Sequence, residues 1–255
     1  MTSQRRIALV TGGAKRIGQA IAESLAEAGF AVALHCNRSR AEAEALAERL
    51  RGDGRQASVI TGDLADLDAV PRILDEAASQ LGAPTLLVNS ASMFEPDGIG
   101  DFDAARFQRQ LAINLTAPVL LADAFANALP KGEAGLIVNI IDQRVWKTTP
   151  HHMSYQLSKS GLLTATRTLA QALAPRKIRV NAIGPGPTLA SARQDETDFR
   201  RQAAAVPLGH GPELAEFGRT VLFLHATPSI TGQMIALDGG QHLAWETPDV
   251  VGIKE

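Results

Sequence analysis

The chain has 255 residues, with 25 Lys and Arg against 27 Asp and Glu, and it is 45% hydrophobic but only 4% aromatic. That near-balance, with no basic block, excludes a surface built for a nucleic-acid backbone. The single cysteine, Cys36, excludes an intrachain disulfide framework and a multi-cysteine metal site, and is read as a small buried hydrophobe. No unbroken apolar run of about eighteen residues is present to span a membrane, and Met1-Thr2-Ser3-Gln4-Arg5-Arg6 leads straight into a strand. A cytoplasmic protein without a leader is the expectation.

Apolar runs and glycines alternate as strands and helices. Ile7-Ala8-Leu9-Val10 reads as a strand, Thr11-Gly12-Gly13-Ala14-Lys15-Arg16-Ile17-Gly18 as a glycine turn, and residues 19–28 as a helix with Ile21, Ala22, Leu25 and Ala26 on one face. Strand, glycine turn and helix form the context of a phosphate-cradling loop, although glycines are also common in ordinary turns. Further strands are expected at 30–35, 57–61, 85–89, 135–141, 178–183 and 234–237. Helices are expected at 39–50, from near Asp66, at 102–129 with a possible break at Pro118, and at 153–173, 195–205 and 213–224. Near-continuous apolar strands between helices predict one doubly wound, Rossmann-type α/β domain over residues 1–255, with about seven parallel strands. Its ligand is expected beyond the carboxyl ends of the strands.

The second strand ends in His35-Cys36-Asn37-Arg38-Ser39, where an acid would hold the two hydroxyls of an adenosine ribose. Arg38, with Ser39 at a helix start and Arg16 in the glycine loop, would instead attract a 2′-phosphate. These cations favour NADPH/NADP+ over the unphosphorylated dinucleotide; otherwise Arg38 is a solvated charge. His35 reads as a strand-end hydrogen bonder. Asp63, followed by Leu64, either accepts from an adenine amino group or caps a turn. Asn89-Ser90-Ala91 has side chains small enough for the backbone to pass close to a flat cofactor. Asn114, deep in the long helix, either satisfies a kink or serves the site.

The fifth strand is followed by Asp142, and Tyr155 comes thirteen residues later, four before Lys159. An i, i+4 pair shares one helix face, so the ammonium is expected to lower the phenol's pKa and make it a proton donor near neutral pH. His151-His152 precedes this helix, but no third ligand is in evidence, so no metal is expected. Residues 184–211, with three prolines, are irregular and are read as the loop over the substrate.

Together these residues resemble the short-chain dehydrogenase/reductase family over about residues 5–245. Residues Thr11 to Gly18 look like its cofactor loop, Asn89-Ser90-Ala91-Ser92 like its Asn-Asn-Ala-Gly segment, and Asn114, Tyr155 and Lys159 like its catalytic positions. Pro185-Gly186, with Thr188 beyond, resembles its turn after the sixth strand, while Ile230-Thr231-Gly232-Gln233 and Leu237-Asp238-Gly239-Gly240 match the segments around its last strand. Arg16 stands where the family has glycine, and Asp142 where it has serine. Both departures, with Ser92-Met93-Phe94, resemble the pteridine and dihydromonapterin reductases.

The resemblance implies cofactor contacts at Gly12, Lys15, Arg16, Ile17, Gly18, His35, Arg38, Ser39, Asp63, Leu64, Asn89, Ser90, Ala91, Tyr155, Lys159, Pro185, Gly186 and Thr188. Substrate contacts would come from Arg16, Ser92, Phe94, Asp142, Trp146, Tyr155 and Leu189, Phe94 being either a stacking ring or a core hydrophobe. In the implied reaction hydride reaches a C=N carbon of a dihydropterin or dihydrofolate-like substrate, Tyr155 protonates the nitrogen, and Asn114 positions a relay water. The alternatives are an NADPH-dependent reductase of 3-oxoacyl thioesters or ketones, and a non-enzymatic nucleotide sensor. A homotetramer is implied by resemblance, and the tail residues Leu243, Ala244, Trp245 and Val250 are compatible with it.

Overall fold

The computed structural model describes residues 6–191, 193–247 and 249–253, so the reading of Met1–Arg5 lies outside the described residues. Seven strands, β1 (Ile7–Thr11), β2 (Ala31–Cys36), β3 (Ala57–Thr61), β4 (Leu86–Asn89), β5 (Gly135–Ile140), β6 (Ile178–Pro185) and β7 (Met234–Leu237), form one sheet. All pairs are parallel, in the order β3-β2-β1-β4-β5-β6-β7.

Side chains alternate across a strand, so each central strand feeds two cores. Leu9, Ala33, Leu87 and Ile137 face one way, onto Leu74, Leu121 and Phe125. Ala8, Val10, Val32, Val88 and Val138 face the other way, onto Ile21, Leu25, Phe217 and Val221. The first core is covered by α3 (Val70–Leu81), α5 (Ala117–Ala128) and α6 (Met153–Leu173), and the second by α1 (Arg16–Glu27), α2 (Arg40–Gly52) and α8 (Leu214–Ala226). Within the substrate loop lies α7 (Glu196–Ala204). Burial on both faces is why these strands read as unbroken apolar runs.

Two expectations need correction. The third helix begins at Val70 and not near Asp66, because Asp66 and Ala69 close turns onto Asp63 and Asp66, and Pro71 takes a place in the helix's first turn. The long helix expected at 102–129 is divided into α4 (Ala104–Leu111), a π-helical turn (Ala112–Thr116) and α5. The whole run 104–128 is long and apolar enough by composition to cross a membrane, while Leu121, Ala122 and Phe125 lie buried in the first core. Asn114 sits in the π turn.

The strand order reverses between β1 and β4, and the carboxyl ends there open a crevice. Thr11, last in β1, bridges it: its Oγ1 accepts the N–H groups of Ser90 and Ala91 at 3.0 and 3.1 Å.

Candidate active site

A cleft of about 930 Å3 runs along these strand ends, from the β1–α1 turn to the loop after β6. At one end the backbone makes the wall. Gly12 has φ +63°, and a Cβ there would meet Ala91 Cα at 2.9 Å; one on Gly18 would meet the Gly12 carbonyl at 2.1 Å. Helix α1 starts at Arg16 with no side-chain cap and no acid in its first turn, leaving its N–H groups facing the cleft for an anion. Lys15 pairs with Glu42, whereas Arg38 is exposed and forms no ion pair with any described residue. Ile17, Ser39, Leu64, Ser90, Ala91, Pro185, Gly186 and Thr188 also line this cleft.

Burial lowers the pKa of His35 to about 4, so it is neutral at working pH. Its Nε2 lies 3.1 Å from the Gly62 carbonyl, and its buried Nδ1 has no partner. Asp63 accepts from the Ala65 N–H at 2.9 Å and from Arg109 at 3.0 Å, which together hold its carboxyl below the usual range. Asn89 departs from expectation. It is buried beneath the cleft and donates to Asn139 at 2.8 Å, and Asn139 donates to Thr166 of α6 at 2.9 Å. Its amide supports the floor, joining β4 through β5 to α6.

At the other end side chains make the wall. Tyr155 donates to Asp142 Oδ2 at 2.9 Å, while Asp142 Oδ1 accepts from the Arg144 N–H at 2.9 Å. Burial raises the pKa of both groups, and the Asp142 charge raises that of Tyr155 further, well above the ordinary phenol value. This corrects the expectation that Lys159 lowers the phenol's pKa. Lys159 Nζ donates to the Ile140 carbonyl at 2.8 Å and lies 5.7 Å from the Tyr155 ring centroid. Burial brings the lysine's own pKa down to about 8.

The Asn114 side chain is fully occupied. It accepts from Ser92 Oγ (3.2 Å) and Met93 N (2.8 Å) and donates to the Met93 carbonyl (2.8 Å) and Ser158 Oγ (3.1 Å). Those four bonds leave its amide no site for a relay water, so it clamps the Ser92–Met93 backbone to α6. Phe94 lines the cleft, its ring stacked on His152 (4.4 Å, 5°) with Tyr155 edge-on (4.7 Å, 74°). Trp146 lies outside the cleft lining, half-exposed, with its ring 4.9 Å from His242. Leu189 lines the cleft, and its carbonyl and that of Ala190 accept from Arg16 at 3.3 and 2.9 Å.

The cleft also holds residues that the sequence reading gave no part in the site. His152 takes a left-handed φ of +60° at the start of α6. Asp97 secures that turn: its carboxylate accepts from the Ser154 N–H (3.0 Å) and hydroxyl, and its carbonyl from the His152 N–H (2.8 Å). Arg144 and Arg193 lie 5.2 and 5.7 Å from the Phe94 centroid. A left-handed non-glycine residue carries no local signal, and Arg193 is 99 residues from Phe94.

The family model described as short chain dehydrogenase matches residues 6–201. FolM alternative dihydrofolate reductase 1 from Brucella canis, complexed with NADP, superposes with a TM-score of 0.94 at 56% identity, covering 96% of this chain and 97% of that one. Its Brucella suis counterpart, also in complex with NADP, gives 0.94 and 56%, over 98% of this chain and all of that one. A 3-oxoacyl-[acyl-carrier-protein] reductase, FabG of Staphylococcus aureus (strain Mu50), is 29% identical over 241 residues, 92% of this chain and 98% of its own length. The chain belongs to the short chain dehydrogenase family, and it is an NADPH-dependent oxidoreductase.

Proposed function

We propose that this oxidoreductase reduces a C=N bond of a dihydropterin or dihydrofolate-like substrate. The observation that carries the reading is the Tyr155–Asp142 hydrogen bond, 2.9 Å long, at a position where a carbonyl reductase of this family uses serine. An ionised carboxylate repels a developing alkoxide, whereas it accepts readily from ring N–H groups. The FolM likeness, at 56% identity, supports the same substrate class.

The cleft's geometry suits the cofactor. The α1 N-terminus and the close approach at Gly12 and Gly18 would take the pyrophosphate, and Arg38, with Ser39 beside it, would take the 2′-phosphate. The unpartnered Nδ1 of His35, with Asp63 and Leu64, would border the adenine. Ser90, Ala91, Pro185, Gly186 and Thr188 would pack along the cofactor, and Lys159 would bind the nicotinamide ribose. Bound NADPH supplies the hydride. Tyr155 then gives its hydroxyl proton to the adjacent ring nitrogen. The phenolate regains its proton from solvent, while the Asp142 carboxylate accepts from the substrate's ring N–H groups. Ser92, Phe94 and Leu189 would bound the substrate ring, and Arg16 would span both ligands. Residues 184–211 act as the substrate loop of a single reductase domain.

NADPH oxidation against dihydrofolate, tail-free dihydropterins and a 3-oxoacyl thioester tests this reading. Turnover of the ring substrates supports it; turnover of the thioester alone replaces it with the carbonyl reading. A cytoplasmic homotetramer completes the proposal, supported by the exposed tail residues Leu243 and Trp245, and light scattering checks the mass.

A further inference from the structure

At the substrate end of the cleft two guanidinium groups lie beside one aromatic ring. Arg144 Cζ is 5.2 Å and Arg193 Cζ 5.7 Å from the Phe94 centroid, and both residues line the cleft. Arg144 is held in place through its backbone: its N–H donates to Asp142 Oδ1 at 2.9 Å, and its carbonyl accepts from Gln156 Nε2 of α6 at 2.8 Å. Its guanidinium forms no ion pair with any described residue. Asp142 is the acid whose charge it feels, and both oxygens of that carboxylate are already engaged. Arg193, from the substrate loop, reaches across to the Phe94 carbonyl and to Glu95 at 3.4 Å. Glu95 is a half-exposed rim acid that a better-placed anion can displace.

Arg144 lies away from the proposed 2′-phosphate end of the cleft. Arg38 follows β2 and Arg144 follows β5, three strand spacings away, about 14 Å. Arg144 meets Asp142 through its backbone N–H and not through its guanidinium. A preorganised, planar cation beside a ring-binding surface matches a carboxylate carried on an arm of the substrate.

We infer that Arg144 and Arg193 form a subsite for such an anionic arm, which makes folate-type molecules the substrate class and sets them above dihydropterins with neutral side chains. The inference rests on the proposed function and deepens it. In it Arg144 is the fixed half of the subsite, and Arg193 the half delivered by the loop.

The test compares 7,8-dihydrofolate, a 7,8-dihydropterin without a carboxylate, and a dihydropterin phosphate ester, with NADPH, in the wild type, Arg144→Gln, Arg144→Lys and Arg193→Gln. The expected result is an approximately tenfold fall in the ratio of kcat/KM for dihydrofolate to that for the uncharged dihydropterin in Arg144→Gln, with partial recovery in Arg144→Lys. Arg193→Gln lowers the ratio less, and added salt raises the wild-type KM for dihydrofolate. A fall confined to the phosphate ester reassigns the anion from carboxylate to phosphate and overturns the folate class. An unchanged ratio in both glutamine variants overturns the subsite, while the proposed function stands. No wild-type turnover of any ring substrate overturns the proposed function itself.

Discussion

The two ends of the cleft are built differently. The cofactor end is made of backbone: a glycine turn, an uncapped helix terminus and strand ends tied by Thr11, with contacts set by the absence of side chains at Gly12 and Gly18. The substrate end is made of side chains from remote segments, with Phe94, Asp142, Arg144, His152, Tyr155 and Arg193 meeting from four separate stretches. A backbone site tolerates little change yet names only a cofactor. A side-chain site can change its substrate while the fold stays the same.

The largest expected effect lies at the substrate end. Tyr155→Phe removes the donated proton and should lower kcat by about 10²–10⁴, with NADPH affinity, read by fluorescence titration, nearly intact. At the cofactor end Arg38→Ala should lower the preference for NADPH over its unphosphorylated counterpart by roughly tenfold to a hundredfold, with little change in the rate at saturation. Steady-state kinetics with both dinucleotides would detect a uniform loss instead, and that would separate Arg38 from the 2′-phosphate.

Titration sharpens the contrast. With its pKa near 8, Lys159 is cationic below that pH and neutral above it. For the free enzyme, kcat/KM should therefore fall as pH rises through about 8, and Lys159→Arg should move that limb upward. Asp142 supplies a stability readout. Its folded-state pKa is raised, so its favourable contribution is complete below the ordinary aspartate value and is lost as pH rises through the folded one. Asp142→Asn should raise Tm at pH 7 more than at pH 4, while activity falls; thermal scans at the two pH values check the sign.

The smallest effect lies in the scaffold beneath the cofactor end. Helix α1 packs on α8 so closely that a Cβ on Gly218 would sit 2.0 Å from Ser24 Oγ and 2.3 Å from its Cβ. Gly218→Ala should cost about 1–3 kcal/mol in denaturant unfolding. Pairing it with Ser24→Gly should recover part of that loss.

This division also explains what could be read from the sequence. The strands and the glycine turn were legible because burial on two faces and close backbone approach restrict residue type locally. Tyr155 and Lys159 were legible because four residues make one helical turn. The π turn at Asn114 was not, because widening one helical turn needs no particular residue. The start of α3 had a signal in Pro71, which favours a first-turn position. The support given by the Asn89 amide was not legible, since a buried amide network spanning β4, β5 and α6 leaves no local pattern. Arg144 and Arg193 gain meaning only from their distance to Phe94.

Under the proposed function Asp142, bonded to Tyr155, commits the substrate end to ring C=N chemistry. Asp142→Ser measures it directly, as the ratio of kcat/KM for dihydrofolate to that for a 3-oxoacyl thioester. The ratio should collapse, with pterin reduction lost and carbonyl reduction gained. A variant that keeps the wild-type ratio would contradict it.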